Sequence, residues 1–212
     1  MLNKRPVFPG HTFLNFRCTG CGNCCKEPLL PLTDRDLRRI VEHTGDSPED
    51  IVRWVDRWGI DMDDEPEGFV ILRQGRRVMV LRHERGGCRY LGTDNRCSIY
   101  TERPLGCRIY PFDPTFFQKG PREGKLRRLK LIHSAECPYE LDGNNDVDRL
   151  RRLHERYEGA LSDYHEVIAE WNRLQRRRKR AGRAAQTARE YFEFIGLGHA
   201  LAQPLESGLA AR

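Results

Sequence analysis

The sequence predicts an α+β protein in which a small cysteine-rich domain with short helices and a β-hairpin is followed by a long amphipathic C-terminal helix. Three observations lead to this prediction. All eight cysteines precede residue 138, short apolar runs alternate with turn residues over residues 28–110, and an apolar stripe at helical spacing begins near residue 150. We expect the cysteine domain over residues 1–146, the helical extension over 147–195 and a flexible tail over 196–212.

Two short helices are predicted after an extended run at residues 28–32. Thr33 is a suitable N-cap for the first helix, and Gly45 is a suitable residue to end it. Ser47 followed by Pro48 then indicates the start of a second helix. The apolar face of that helix is predicted to comprise Ile51, Val52, Trp54, Val55 and Trp58.

A β-hairpin is predicted next, because the apolar runs 69–72 and 78–81 flank the turn-forming residues 73–76. Residues 129–132 form a further candidate strand. The hairpin leads directly to Cys88, so we expect a small sheet to present the second group of cysteines.

Beyond residue 147, apolar residues recur at steps of three and four, as in one long amphipathic helix. We expect this helix to pack over the cysteine domain rather than to form a coiled coil, and a further short helix is predicted at residues 191–195. The stripe consists of Leu150, Leu153, Tyr157, Ala160, Tyr164, Val167, Trp171 and Leu174.

The net charge of +6 is concentrated in one segment. Residues 173–183 contain seven basic residues and no acidic residue, so the rest of the chain is close to neutral. Positive charge that is confined to one segment argues against a nucleic-acid surface that covers the whole domain. We prefer a solvated helix end to a contact with nucleic acid or an anionic membrane surface. The basic residues are Arg173, Arg176, Arg177, Arg178, Lys179, Arg180 and Arg183.

The amino-terminal ten residues lack the apolar core of a secretion signal, and no stretch reaches the roughly 18 apolar residues of a membrane span. We therefore expect a cytoplasmic protein without a membrane span. Disulfides rarely persist in the reducing cytosol, so the cysteines are expected to bind metal or to carry redox chemistry.

The cysteines are the candidate ligands of a metal or cofactor. Four of them lie within eight residues, in turn-forming, glycine-rich sequence, whereas cysteines that only pack as small hydrophobic residues are usually scattered. We predict that all eight bind as thiolates, namely Cys18, Cys21, Cys24, Cys25, Cys88, Cys97, Cys107 and Cys137.

The adjacent pair Cys24 and Cys25 raises the question of how many centres exist. If the backbone is extended there, the two side chains point to opposite faces and serve different centres, or one of them is not a ligand. Eight thiolates would satisfy two four-thiolate sites, with His83 and His133 as possible substitutes.

The spacing also bears on the identity of the metal. Cys18-x-x-Cys21-x-x-Cys24 is similar to the three-ligand arm of ferredoxin-type four-iron clusters. Zinc sites more often pair two Cys-x-x-Cys motifs, whereas Cys88, Cys97 and Cys107 are widely spaced. Iron–sulfur is therefore preferred over zinc, with one or two centres left open.

Basic residues flank the cysteines, and a metal held by several thiolates is anionic. A partly buried centre needs cations or N–H donors nearby to offset that charge. The candidates for this role are Arg17, Lys26, Arg89, Arg96, Arg103 and Arg108.

Two motifs together resemble the YkgJ family of cysteine-cluster proteins. The first is Phe16-x-Cys18-x-x-Cys21-Gly22-x-Cys24-Cys25, and the second is Cys97-x-Ile99-Tyr100-x-x-Arg103-Pro104-x-x-Cys107-Arg108-x-Tyr110-Pro111. The resemblance covers roughly residues 13–140. It implies a zinc- or iron-chelating CxxCxxCC domain, of the kind also present in flagellin lysine N-methylases, and it implies no particular reaction.

Two functions follow as hypotheses. In the first, the protein holds an iron–sulfur cluster or related metal centre and serves redox or modification chemistry with a redox partner or protein substrate. In the second, zinc is structural and the basic helix binds nucleic acid or another polyanion. The sequence has no phosphate-binding loop, nucleophile elbow or His-Glu-x-x-His motif, so whether it is an enzyme stays open. Arg103, Arg108 and Tyr110 are the candidate participants beside the centre.

Overall fold

The structure, a computed structural model, describes residues 16–26, 29–60, 66–84, 86–112, 138, 140 and 142–198. Helices and strands alternate along these residues, which confirms the predicted α+β class. In chain order the elements are α1 (Asp34–Thr44), α2 (Pro48–Ile51), β1 (Val52–Val55), β2 (Val70–Leu72), β3 (Gly75–Leu81), β4 (His83–Glu84), β5 (Gly87–Cys88), α3 (Leu105–Ile109), α4 (Val147–Arg180) and α5 (Ala188–Phe194).

Helix α1 begins and ends where the sequence predicts. The Thr33 hydroxyl accepts a hydrogen bond from the Asp36 backbone N–H, and Gly45 adopts the left-handed conformation that ends the helix. Residues 29–32 run extended into it, and they pair with β3 through backbone bonds at Leu30 and Leu32.

The prediction of a second full helix after Ser47 is wrong. Ser47 and Pro48 do start a helix, but α2 has only four residues and the chain continues as strand β1. The physical reason is that Val52 and Val55 are β-branched and pair with Leu81 and Val78 of β3, so sheet pairing overrides a helical apolar pattern. Trp58, predicted on the helix face, is 82% exposed.

The predicted hairpin is confirmed. Strands β2 and β3 pair antiparallel around residues 73–74, and β1 completes a three-stranded sheet in the order β1-β3-β2. The candidate strand at residues 129–132 lies outside the described residues.

Both faces of the sheet are buried, because successive side chains of the central strand β3 point to opposite sides. Met79 and Leu81 join the main core with α1, α4 and α5. Val78 and Val80 form a smaller cluster with Phe69 on the other face.

The long C-terminal helix is confirmed as α4, and the short helix as α5. Tyr164, Ile168 and Trp171 of α4 enter the main core together with Tyr191 and Phe192 of α5. Helix α4 therefore packs back over the cysteine-bearing elements, as expected. The division into segments 1–146, 147–195 and 196–212 stays a prediction.

None of the described helices is both long enough and apolar enough to cross a lipid bilayer. The cytoplasmic location expected from the sequence stays a prediction.

Candidate metal centre

The two cysteine groups meet at one open cleft of about 690 Å³. All seven described cysteines are free thiols, and six of them line the cleft: Cys18, Cys24, Cys25, Cys88, Cys97 and Cys107. Cys21 is described but does not line the cleft, and Cys137 lies outside the described residues. The assignment of all eight cysteines as metal ligands stays a prediction.

Cys24 and Cys25 lie in a tight 3-10 turn, Asn23–Cys25, closed by a 3.0 Å bond from the Cys25 N–H to the Gly22 carbonyl. The backbone there is not extended, so the condition under which the two thiols would face opposite sides is not met. Both thiols face the same cleft and hydrogen-bond to each other.

Gly22 connects this turn to the second cysteine group. Its φ of +72° favours glycine, and a Cβ at this position would lie 3.1 Å from the Asn95 Cβ and 3.2 Å from a methyl of Leu91. Asn95 and Leu91 belong to the loop between Cys88 and Cys97. The glycine therefore allows the amino-terminal turn to dock against that loop.

The second group is carried by the short strands and by α3. Cys88 ends β5 opposite His83 of β4, and a bridge between Leu91 and Cys97 closes the following loop. Cys107 lies in α3. His83 lines the same cleft, and burial, followed by the charge of Arg53, lowers its pKa. A lowered pKa favours the neutral imidazole, which is the form that binds metals, and the role of His83 as a ligand stays a prediction.

A buried carboxylate fixes α3 in place. Asp36 is 1% exposed and accepts 3.0 Å and 2.7 Å bonds from the Leu105 N–H and the Arg39 guanidinium. Pro104 precedes α3 and provides no side-chain cap, so Asp36 satisfies the first N–H from outside the helix. Because Asp36 lies in the first turn of α1, where its N–H donates to the capping Thr33 hydroxyl, one residue ties α1 to the helix that carries Cys107.

The pKa values of the thiols are shifted by burial and by one another. Burial, and then the charges of neighbouring thiols, raise the pKa of Cys107 well above its ordinary value. Burial raises the pKa of Cys88 to about 11 and also raises that of Cys97. The hydrogen bond between the adjacent pair lowers the pKa of Cys24 to about 6 and raises that of Cys25. These five thiols interact with one another, which links the amino-terminal turn to residues 88–107.

Backbone N–H groups also point at sulfur atoms. The Gly20 N–H donates to Cys18 Sγ and the Tyr90 N–H donates to Cys88 Sγ, each at 3.4 Å. Such donors stabilise thiolates and tune metal–sulfur centres.

The six basic residues predicted to balance the centre differ in their surroundings. Arg17 pairs with Glu140 and Asp142, and Arg89 with Asp46. Arg108 donates to backbone carbonyls and lies near Glu102. Arg96 and Arg103 line the cleft itself. Lys26 is exposed and does not line it.

The rest of the cleft wall is largely apolar, with Leu29, Leu30, Ile109, Phe112 and Tyr157 among its residues. Tyr157 comes from α4, and sequence reasoning assigned it only to the core stripe of that helix. The sequence shows that Tyr157 lies on the apolar face of α4, but this pattern does not distinguish a core residue from one that lines a cleft.

In the described part of the chain, no three His, Cys, Asp or Glu side chains are close enough together to hold a single metal ion as they stand. The thiols surround a common space without contacting one central point. Their soft sulfur donors suit zinc or iron, so the residues present fit such a centre.

Comparison with family models gives a match over residues 17–125, just over half of the chain, to CxxCxxCC, described as "Putative zinc- or iron-chelating domain". The chain belongs to this family. This is the YkgJ family that the two motifs resemble, and its description supports metal binding in general. Seven cysteines lie within the match, whereas Cys137, α4 and α5 lie beyond it. Neither the curated proteins nor the solved structures gave a match.

Proposed function

We propose that this CxxCxxCC protein holds an iron–sulfur cluster in the cysteine cleft and serves electron transfer or a modification reaction. Metal binding follows from the family, and the choice of an iron–sulfur cluster is the proposal. The observation that carries it is the arrangement of Cys24, Cys25, Cys88, Cys97 and Cys107, five interacting thiols around one space.

The spacing of the thiols supports a cluster over one ion. Zinc sites more often pair two Cys-x-x-Cys motifs, whereas Cys88, Cys97 and Cys107 are widely spaced along the sequence. A cluster is wider and presents several iron atoms to separate thiolates. Cys18-x-x-Cys21-x-x-Cys24 adds the matching three-ligand arm.

The proposed ligands are Cys24, Cys25, Cys88, Cys97 and Cys107, joined by Cys18, Cys21 and Cys137 from the predicted set. When bound, a cluster would supply one-electron chemistry. The chain itself supplies thiols, N–H donors to sulfur, and an apolar wall that limits access of water. A redox partner or a protein substrate would then meet the centre from the open side of the cleft.

One observation favours the alternative of structural zinc in a polyanion-binding module. Most basic residues between 173 and 183 are exposed, and within the described residues none of them forms an ion pair. Four of them, Arg177, Arg178, Lys179 and Arg180, lie in the last turn of α4, where cations complement the helix dipole, so exposure alone does not require a ligand.

Anaerobic purification followed by analysis of iron, zinc and acid-labile sulfide tests the proposal. We expect a brown protein with iron and sulfide in comparable amounts. A colourless protein with stoichiometric zinc, no sulfide and salt-sensitive binding to nucleic acid would contradict it and support the alternative.

A further inference from the structure

The region beside the cysteine cleft carries an excess of positive charge. Arg39 and Arg108 both donate hydrogen bonds to the backbone carbonyl of Arg103, which brings three arginines together beside the cleft. Within the described chain, the ion pairs of this group involve two carboxylates, Asp36 and Glu102. Three guanidinium groups beside two carboxylates leave an excess positive charge, which suits an anionic group.

Unlike Arg39 and Arg108, Arg103 has no carboxylate partner among the described residues. Glu102, which precedes it, lies 3.5 Å from Arg39 and 3.9 Å from Arg108. The Arg103 carbonyl accepts bonds of 3.1 Å from Arg39 and 2.9 Å from Arg108. Its backbone is thus fixed while its charge remains available.

The side chain of Arg103 is held at the cleft. Its guanidinium lies 4.0 Å from the centre of the Tyr100 ring, and both residues line the cleft. A cation over an aromatic face is attracted by the ring, which restricts where the guanidinium can go. From there it faces the same cleft as Cys24, Cys97 and Cys107.

We propose that Arg103, positioned by Tyr100, is the charge-compensating residue of the metal centre. The inference rests on the proposed function, but it holds for iron–sulfur and for zinc alike. Several thiolates around a metal leave net negative charge in a partly buried cleft, and a fixed guanidinium reduces the cost of holding that charge. Arg103 is a positioning and tuning residue, not a ligand.

The test compares Arg103→Gln with the control Arg177→Gln, which removes the same charge from an exposed site on α4. Tyr157 is the α4 residue that lines the cleft, and Arg177 lies about 30 Å further along the helix. The apparent metal affinity of each purified protein is measured by competition with a chelator. We expect Arg103→Gln to weaken retention by about 10- to 100-fold, as for other residues that support metal ligands, and Arg177→Gln to match the wild type.

Two further variants separate charge from packing. Tyr100→Leu removes the ring beneath the guanidinium and is expected to weaken retention by about two- to fivefold. Arg103→Lys keeps the charge and should recover part of the affinity. Metal-free Arg103→Gln should unfold at the same temperature as the metal-free wild type, because the side chain has no carboxylate partner in the described structure.

Equal metal retention by Arg103→Gln and Arg177→Gln would overturn the inference and leave the proposed function intact. A wild type without metal would instead refute the proposed function itself. Titration with inorganic phosphate tests the alternative that Arg103 binds an anion from solution. Phosphate binding that is lost in Arg103→Gln, with metal affinity unchanged, would also overturn the inference.

Discussion

At the residue scale, two glycines of the amino-terminal cysteine segment have the same backbone geometry but different surroundings. Gly20 and Gly22 have φ values of +70° and +72°. A Cβ on Gly20 would meet nothing within 4 Å, whereas a Cβ on Gly22 would press against Asn95 and Leu91. Alanine substitutions at the two glycines therefore separate two costs. One is the cost of a left-handed backbone, and the other is the cost of displacing the cysteine turn from the loop that contains Leu91 and Asn95.

We predict that Gly22→Ala weakens metal binding much more than Gly20→Ala. Both variants carry a left-handed alanine at about 1–2 kcal/mol, but only Gly22→Ala forces Cys24 and Cys25 away from the loop between Cys88 and Cys97. Chelator competition on the two proteins measures the difference. Equal losses would show that docking of the turn does not position the thiols.

A second residue-scale prediction concerns Asn172 of α4. Its side chain accepts a 2.8 Å bond from the Ile71 N–H and donates a 2.8 Å bond to the Phe69 carbonyl, at the outer edge of β2. Asn172→Leu leaves both backbone groups without these partners, so unfolding should become easier by about 2–3 kcal/mol. Urea unfolding measures this change.

The matched control is Asn144→Leu, at an exposed loop position, which should change the free energy of unfolding by no more than about 0.5 kcal/mol. Asn172→Asp keeps the acceptor and loses the donor, and should also destabilise. Unchanged stability in both Asn172 variants would show that Asn172 of α4 does not stabilise the edge of the sheet at β2.

Single residues also mark where sequence reasoning succeeds. Thr33, Gly45 and Ser47 were predicted as helix boundaries because capping depends on a few neighbouring residues, and the structure has them in those roles. Asp36 shows the limit. Its bond to Leu105, 69 residues away, depends on tertiary packing, which no local sequence pattern contains.

At the scale of elements, the region around Val52 shows why pattern alone was insufficient. Ile51, Val52 and Val55 suit one face of a helix, yet Val52 and Val55 also suit a strand. Pairing with β3 decides the outcome, and that partner lies more than twenty residues downstream. The wrong prediction therefore came from a local signal that a long-range contact overrides.

The cysteine turn is a similar case. Spacing predicted which residues bear sulfur, but the directions of Cys24 and Cys25 depend on a 3-10 turn stabilised by Gly22. The convergence of the two cysteine groups follows from the packing of that turn on the second loop. No spacing rule contains that contact.

Helix α5 yields a prediction of pH dependence. The Glu190 carboxylate accepts 2.7 Å and 2.9 Å bonds from the Thr187 N–H and hydroxyl, and bonding to the Thr187 backbone is the main cause that lowers its pKa to about 2. A lowered pKa stabilises the fold above the ordinary carboxyl range. That stability is lost as the pH falls from about 4.5 to about 2.

Glu190→Gln should accordingly be less stable than the wild type at pH 6, and the difference should shrink as the pH approaches 2. Denaturant unfolding of both proteins across this range provides the measurement. A stability difference that does not change with pH would show that the charge of Glu190 adds nothing to the cap.

At the scale of the whole molecule, one core joins the cysteine-bearing elements to the carboxyl-terminal helices. Trp171 packs against Tyr191 with ring centres 5.1 Å apart and donates a 2.8 Å bond to the Ile71 carbonyl. The family match ends before α4, yet Tyr157 of α4 lines the cleft. The carboxyl-terminal helix is thus part of both the core and the site wall.

The central claim is that thiols from the amino-terminal turn and from residues 88–107 hold the same metal centre. Metal content per chain in Cys24→Ser, Cys107→Ser and the double variant, each purified under identical anaerobic conditions, tests it most directly. A shared centre predicts that each single variant loses nearly all the metal that the double variant loses. If each single variant lost a separate fraction and the double variant lost their total, the two groups would serve independent sites and the claim would be contradicted.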